Sequence, residues 1–78
     1  MAAKNQYALN GMAEICTFLD RNESTVLKLY RSFKDLPHAM PIRKVGGIWG
    51  ADLRELEEWW RLFTSGRVED YRLMTGDK

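Results

Sequence analysis

Two short apolar stripes at helical spacing, on helices joined by only three residues, constrain this chain more than any other feature. Met12, Ile15, Cys16 and Leu19 recur at i, i+3, i+4 and i+7, and Val26, Leu29, Tyr30 and Phe33 repeat the pattern. Between the two helices lie Asp20, Arg21 and Asn22. The spacing predicts a helix over residues 11–19 with Asn10 as its N-cap. It predicts a second helix capped by Asn22, with the Glu23 carboxylate at the positive end of the helix dipole. Helices this short are marginal in water, so their apolar faces must meet each other and a third element. Two helices joined by so tight a connection form a helix-turn-helix.

The third element begins at Asp52, which with Glu55 reads as a capping-box-like start. Leu53, Leu56, Trp60 and Phe63 give its core stripe. Glu57 and Arg61 are placed to pair at i,i+4 on the outer side. Gly66 is placed to end this helix. Pro37 and Pro41 break any helix before it. The run Ile42-Arg43-Lys44-Val45, Gly46-Gly47, Ile48-Trp49-Gly50 then reads as a hairpin around a two-glycine turn, with Val45 opposite Ile48 and Lys44 opposite Trp49. The expected organisation is an arm over residues 1–9, a domain over 10–63 and a loose tail over 64–78, in which no cap or period supports a helix.

The whole chain has 78 residues, enough for one domain that buries only about 60–65 % of its unfolded surface, so deep pockets are not expected. A single cysteine, Cys16, excludes an internal disulfide framework, and on an apolar face it reads as a small buried hydrophobe. One Cys and one His, His38, fall short of the four ligands of a structural zinc site. Gly46-Gly47 lacks the spacing and the Lys-Ser/Thr of a phosphate-binding loop. The run Glu55, Glu57, Glu58 reads as a solvated helix face rather than an acid–base pair. These features point to a non-enzyme without cofactor or metal. With no apolar run near the ~18 residues of a membrane span and no hydrophobic leader, the expected location is the cytoplasm and no membrane partner is expected.

Twelve bases against eleven acids give a net charge of only +1. The total hides a segregation. Residues 21–49 hold Arg21, Lys28, Arg31, Lys34, Arg43 and Lys44 against Glu23 and Asp35, a net +4, while residues 1–20 carry −1 and residues 50–78 carry −2. A basic middle between acidic flanks is the electrostatic footprint of a nucleic-acid partner. On a helical wheel the second helix sets Ser24, Lys28 and Arg31 opposite its apolar stripe, with Thr25, Leu27, Ser32 and Lys34 on the flanks. Short hydroxyls and bases with no acid among them suit a helix lying in the DNA major groove. In the hairpin, Arg43 and Lys44 and the amides of Gly46 and Gly47 are placed to approach a phosphate backbone.

The order of elements is specific beyond any one motif. Leu9-Asn10-Gly11 opens one helix and Asn22-Glu23-Ser24-Thr25-Val26 another. Val45-Gly46-Gly47-Ile48-Trp49 and Asp52-Leu53-Arg54-Glu55-Leu56-Glu57-Glu58-Trp59 follow. This order resembles the small winged helix-turn-helix domains of phage excisionases and AlpA-type regulators, relatives of the MerR DNA-binding domain, over about residues 8–63. It is also similar to the N-terminal DNA-recognition domain of some phage terminase small subunits. The resemblance implies a mostly α fold of three helices with a small β-hairpin wing. The resemblance makes the second helix the reader in the major groove and residues 43–49 the wing, lying against the backbone or in the minor groove, with Trp49 an aromatic anchor of the wing to the core. The implied function is sequence-specific binding of double-stranded DNA by an excisionase-like or transcriptional regulatory protein, with packaging as the alternative.

The expected contacts are Arg21, Asn22, Ser24, Thr25, Lys28, Arg31, Arg43, Lys44, Gly46 and Gly47. Three departures weaken the match. Asp20 and Arg21 replace the usual glycine and apolar residue of the inter-helix turn. Ile48 and Gly50 replace frequent bases of the wing. The connection from Leu36 to Pro41 is long for the type. The brevity of the chain favours a stand-alone regulator over a packaging subunit. A homodimer or a cooperative array on repeated sites is compatible with the modest charge. The rival reading from another class is a protein-interaction module, built on an exposed Trp59 beside Leu62 with Tyr71 and Met74.

Overall fold

In a computed structural model, which describes residues 6–71, the chain folds in the order β1 (Ala8–Asn10), α1 (Met12–Leu19), α2 (Glu23–Phe33), β2 (Ile42–Val45), β3 (Ile48–Asp52), α3 (Leu53–Thr64), followed by a 3-10 turn, Val68–Asp70. Three helices thus pack with a small antiparallel sheet of strand order β1-β3-β2. The hairpin has the expected register, with Val45 opposite Ile48 and Lys44 opposite Trp49. Its turn is made by Gly46 at φ 61° and Gly47 at φ 81°. Two successive positive φ values make a turn whose twist matches that of the strands, and only glycine takes them without strain.

The two inter-element turns end in hydrogen-bonded caps. At the end of α1 the Arg21 amide donates to the Cys16 carbonyl (3.0 Å) and the Asp20 amide to Thr17 (3.2 Å), with Asp20 itself left-handed at φ 57°. This is the double bond pattern that usually carries glycine, and Asp is among the few other residues that tolerate it. The same pattern closes α3, where the Arg67 amide reaches the Leu62 carbonyl and the Gly66 amide reaches Phe63. Asn22 caps α2 by accepting from the Thr25 amide, and Asp52 caps α3 by accepting from Arg54 and Glu55. The Arg54 guanidinium, which also stacks 4.0 Å from the Tyr7 ring, holds the Asp52 carboxyl below the usual carboxylate range, aided by those amides.

Five expectations need correction. Asn10 does not cap α1. It lies in β1 opposite Gly50, and Gly11 occupies the cap position at φ 103°. The Gly11 amide continues the sheet by donating to the Trp49 carbonyl (2.7 Å), while Glu14 reaches back to the Asn10 amide. The arm over residues 1–9 is therefore sheet from Ala8 onward, pairing with β3 forty or more positions away, and residues 1–5 lie outside the described residues. Next, Arg61 pairs with Glu58 rather than Glu57. The core stripe of α3 is also turned: Leu56, Trp59 and Leu62 are buried, whereas Leu53, Trp60 and Phe63 only flank the core. Finally, the tail is not loose where it is described. The 3-10 turn packs on α3 and Tyr71 is buried, while Met74 lies outside the described residues.

The last two corrections share one cause. All six apolar residues of α3 together span about half its circumference, so periodicity alone does not fix the inward side. The 3-10 turn packs on α3 and Tyr71 is buried near Glu55 and Glu58, so the side of α3 that carries Trp59 and Leu62 becomes core.

Trp59 is the largest fully buried side chain and has no solvent exposure. Its ring stacks on Phe63 (centroids 5.1 Å apart, 6° between planes) and meets the edge of Phe33 at 5.5 Å. Its indole nitrogen donates to the His38 carbonyl at 2.9 Å. That bond pins the connection between α2 and β2 to α3, and Met40 beside it is buried. The core is completed by Ile15, Leu19 and Val26 of the helices and Leu9 and Ile42 of the sheet.

Replacement of Trp59 by Ala should cost about 3–5 kcal/mol, close to the whole stability of a domain this size. Trp59→Phe keeps the stack but orphans the His38 carbonyl, and should cost less; thermal and denaturant unfolding read both. Burial, followed by the nearby carboxylates of Glu55, Asp52 and Glu58, pushes the Tyr71 hydroxyl up to about 12 from 10.0. A phenol whose ionisation is delayed by folding stabilises the fold below its unfolded value. That contribution is lost as pH rises through the interval between the two. Tyr71→Phe should flatten the fall in stability over this alkaline window in pH-dependent unfolding.

Candidate nucleic-acid interface

The tight turn after α1 fixes how α2 leaves the core. Val26 faces inward fully, and Leu29, Tyr30 and Phe33 pack around it as the stripe predicts. Ser24, Lys28, Arg31, Ser32 and Lys34 are exposed on the outer side, and Thr25 is half-buried. Asn22 is exposed, but its side-chain oxygen is engaged in the cap with Thr25 at 2.8 Å, which gives it a structural task. The Ser32 hydroxyl is turned back onto the Lys28 carbonyl.

The hairpin is tied to α2 through one aromatic contact. Trp49 of β3 meets Tyr30 edge to face, with centroids 5.1 Å apart and 81° between planes. On its other side the Lys44 ammonium stands 5.7 Å from the Trp49 centroid. Lys44, Trp49 and Tyr30 thus form a continuous row from the hairpin onto α2.

Strand alternation separates the two bases of β2. Ile42 is buried, so Lys44 shares its face of the sheet with Ala51 and Trp49, toward α2. Arg43 stands opposite Gly50 on the other face, in a shallow groove with Pro41, Val45, Asp52 and Glu55. Arg43 and Lys44 therefore do not act on one surface. Gly46 and Gly47 are exposed at the tip, with open space where a side chain would begin. Arg21 lies at the edge of the helix-turn-helix. It donates to the Asp20 carbonyl (2.8 Å) and its guanidinium is 5.5 Å from the Trp60 ring, so Trp60 supports a surface cation.

The ion pairs divide the molecule. Arg54, Arg61 and Arg67 each bond a carboxylate, Asp52, Glu58 and Asp70 respectively. Among the described residues, Lys28, Arg31, Lys34, Arg43 and Lys44 have no such partner. The cations of α3 and the 3-10 turn are neutralised in place, and those of α2 and the hairpin are left to solvent. Lys34, at the end of α2, belongs to this set. It was legible as a flank residue of the wheel, but its freedom depends on where Asp35 points.

Other expected surfaces do not form. Trp59, Leu62 and Tyr71 are all buried, so they make no partner-binding patch. Cys16 packs partly buried against the core, and burial, with a contribution from Glu23, pushes its thiol up. Among the described residues no group of three potential metal ligands occurs, and no helix is long and apolar enough to cross a membrane. Comparison with protein-family models, curated proteins and solved structures finds no match to this chain.

Trp49→Ala removes the contact that ties the hairpin to α2. Amides of residues 43–48 should then exchange about two- to tenfold faster, the worth of one aromatic pair, while those of α3 keep their protection. Hydrogen exchange by NMR distinguishes this from a hairpin held by its own ladder, which would exchange as before.

Proposed function

We propose that this chain is a winged helix-turn-helix module that binds double-stranded DNA in a sequence-specific manner, without catalysis. The helix α2 lies in the major groove, with Ser24, Lys28 and Arg31 toward base edges and phosphates. Lys44 and the open amides of Gly46 and Gly47 meet the neighbouring backbone, and Arg21 and Lys34 extend the contact at either end of α2. The observation that carries this reading is the segregation of charge: the cations of α2 and the hairpin have no carboxylate partner, and those of α3 do. A folded domain that pairs one group of bases and spares another keeps the spared group available for an external polyanion.

Support also comes from the helix-turn-helix geometry and from Trp49, which holds the hairpin beside α2. An excisionase-like or transcriptional regulatory role fits a module that acts by binding alone. The partly separated bases of the hairpin predict modest affinity from one copy, so adjacent copies on repeated sites would strengthen it.

Fluorescence anisotropy with labelled duplex, titrated with salt, tests the proposal. About four to six phosphate contacts give a log–log slope near −4 to −5. Charge reversal at Lys28 or Arg31 should abolish specific binding with the unfolding midpoint unchanged. Absence of duplex binding at low salt, or binding indifferent to both reversals, would overturn it. Selection of duplexes from a random pool would then give the site and its symmetry.

A further inference from the structure

Two exposed cations stand over indoles, on different sides of α2. The Lys44 ammonium is 5.7 Å from the Trp49 centroid and the Arg21 guanidinium 5.5 Å from that of Trp60, both within cation–π range. Tyr30 meets Trp49 of the hairpin, whereas Phe33 meets Trp59 and Phe63 of α3. Those two residues lie about 60° apart around α2, so the hairpin and α3 flank the helix on different sides. Arg21 belongs to the α3 side, since Trp60 is part of α3.

Arg21 is ordered in a way that the other ordered arginines are not. Carboxylates hold Arg54, Arg61 and Arg67. Arg21 instead follows the left-handed Asp20, donates to the Asp20 carbonyl at 2.8 Å and rests over the half-buried Trp60. Among the described residues it bonds no carboxylate, although Asp20 precedes it and Glu23 lies two positions on. A ring steadies a guanidinium without consuming its N–H donors or its charge, as a carboxylate would.

We infer that Trp60 is a positioning residue that pre-orders Arg21 to grip a phosphate of the DNA backbone bordering α2 on the side away from the hairpin. The inference rests on the DNA-binding reading above and adds to it the second wall of the groove. A helix in the major groove lies between two backbones. The hairpin, with Lys44 on Trp49, stands at one of them, and the turn before α2, with Arg21 on Trp60, stands at the other. Immobilising a long side chain on binding costs about two- to tenfold in affinity, and a ring already beneath the guanidinium removes part of that cost. The competing role for Trp60 is packing alone, against Trp59 and Phe63.

The test uses the full chain, fluorescence anisotropy and a duplex of the selected sequence, with thermal unfolding giving the folded fraction of each variant. Arg21→Gln should weaken binding about five- to tenfold on selected and unrelated duplexes alike, and make the salt slope shallower by about one. Trp60→Leu should weaken binding about two- to fivefold while Arg21 is present, and no further once Arg21 is replaced. Trp60→Phe keeps a ring and most of the packing. Its smaller loss should likewise vanish with Arg21→Gln, so the coupling is readable even if Trp60→Leu does not fold. Duplexes carrying one neutral methylphosphonate at a time locate the contact. The linkage whose neutralisation ceases to matter in Arg21→Gln should lie on the strand opposite the one found in the same way with Lys44→Gln.

Three results overturn the inference and leave the DNA-binding reading standing on Lys28 and Arg31. They are an unchanged salt slope in Arg21→Gln, a Trp60 variant whose loss is absent or persists without Arg21, and contacts of Arg21 and Lys44 on one strand. Failure of wild type to bind duplex at low salt overturns both.

Discussion

The architecture depends on a single buried indole. Trp59 is enclosed by Phe63 and Phe33, and its one polar atom is satisfied by the His38 carbonyl. A buried N–H without a partner costs more than the bond it replaces, so the connection between α2 and β2 must present a carbonyl at that point. Pro37 and Pro41 stiffen that connection, and Met40 fills the space beside it. Trp59 therefore sets where β2 begins. Through β2 it sets where the hairpin stands relative to α2. Its partners come from the end of α2, the connection and α3, so one contact fixes three segments together.

From that placement the electrostatics follow. The helix α3 is the scaffold and its cations are held by its own carboxylates, Arg61 by Glu58 and Arg54 by the capping Asp52. The helix α2 faces outward with bases and hydroxyls and keeps its acid, Glu23, in the first turn, where the dipole accommodates it. The near-neutral total conceals one set of cations, on α3 and the 3-10 turn, that bond carboxylates and another, on α2 and the hairpin, that do not. The binding proposed above draws on the second set.

Much of the fold was legible where the governing interactions are local. The caps at Asn22 and Asp52, the left-handed Asp20, the glycine turn and the register of β2 with β3 all depend on atoms a few residues apart. The strand β1 was not legible. Three residues with one buried side chain, Leu9, carry no alternation to detect, and their partner lies on β3 far along the chain. Of the site, Lys28 and Arg31 were readable from the wheel. The division of Arg43 from Lys44, and the cap role of Asn22, needed the sheet register and the bond to Thr25.

The sequence by itself determined the helix-turn-helix, the hairpin and the basic middle of the chain, because hydrophobic period, caps and turn glycines act within one or two turns of backbone. Tertiary structure alone decided which side of α3 became core. Six apolar residues on that helix leave two inward faces nearly equal in hydrophobicity. The choice between them was made by tertiary contacts, the 3-10 turn and Tyr71 packing on α3 and His38 offering its carbonyl to Trp59. The same long-range packing decided which bases found carboxylates and which stayed free. Ion pairing depends on how side chains converge in space, and composition records only their number.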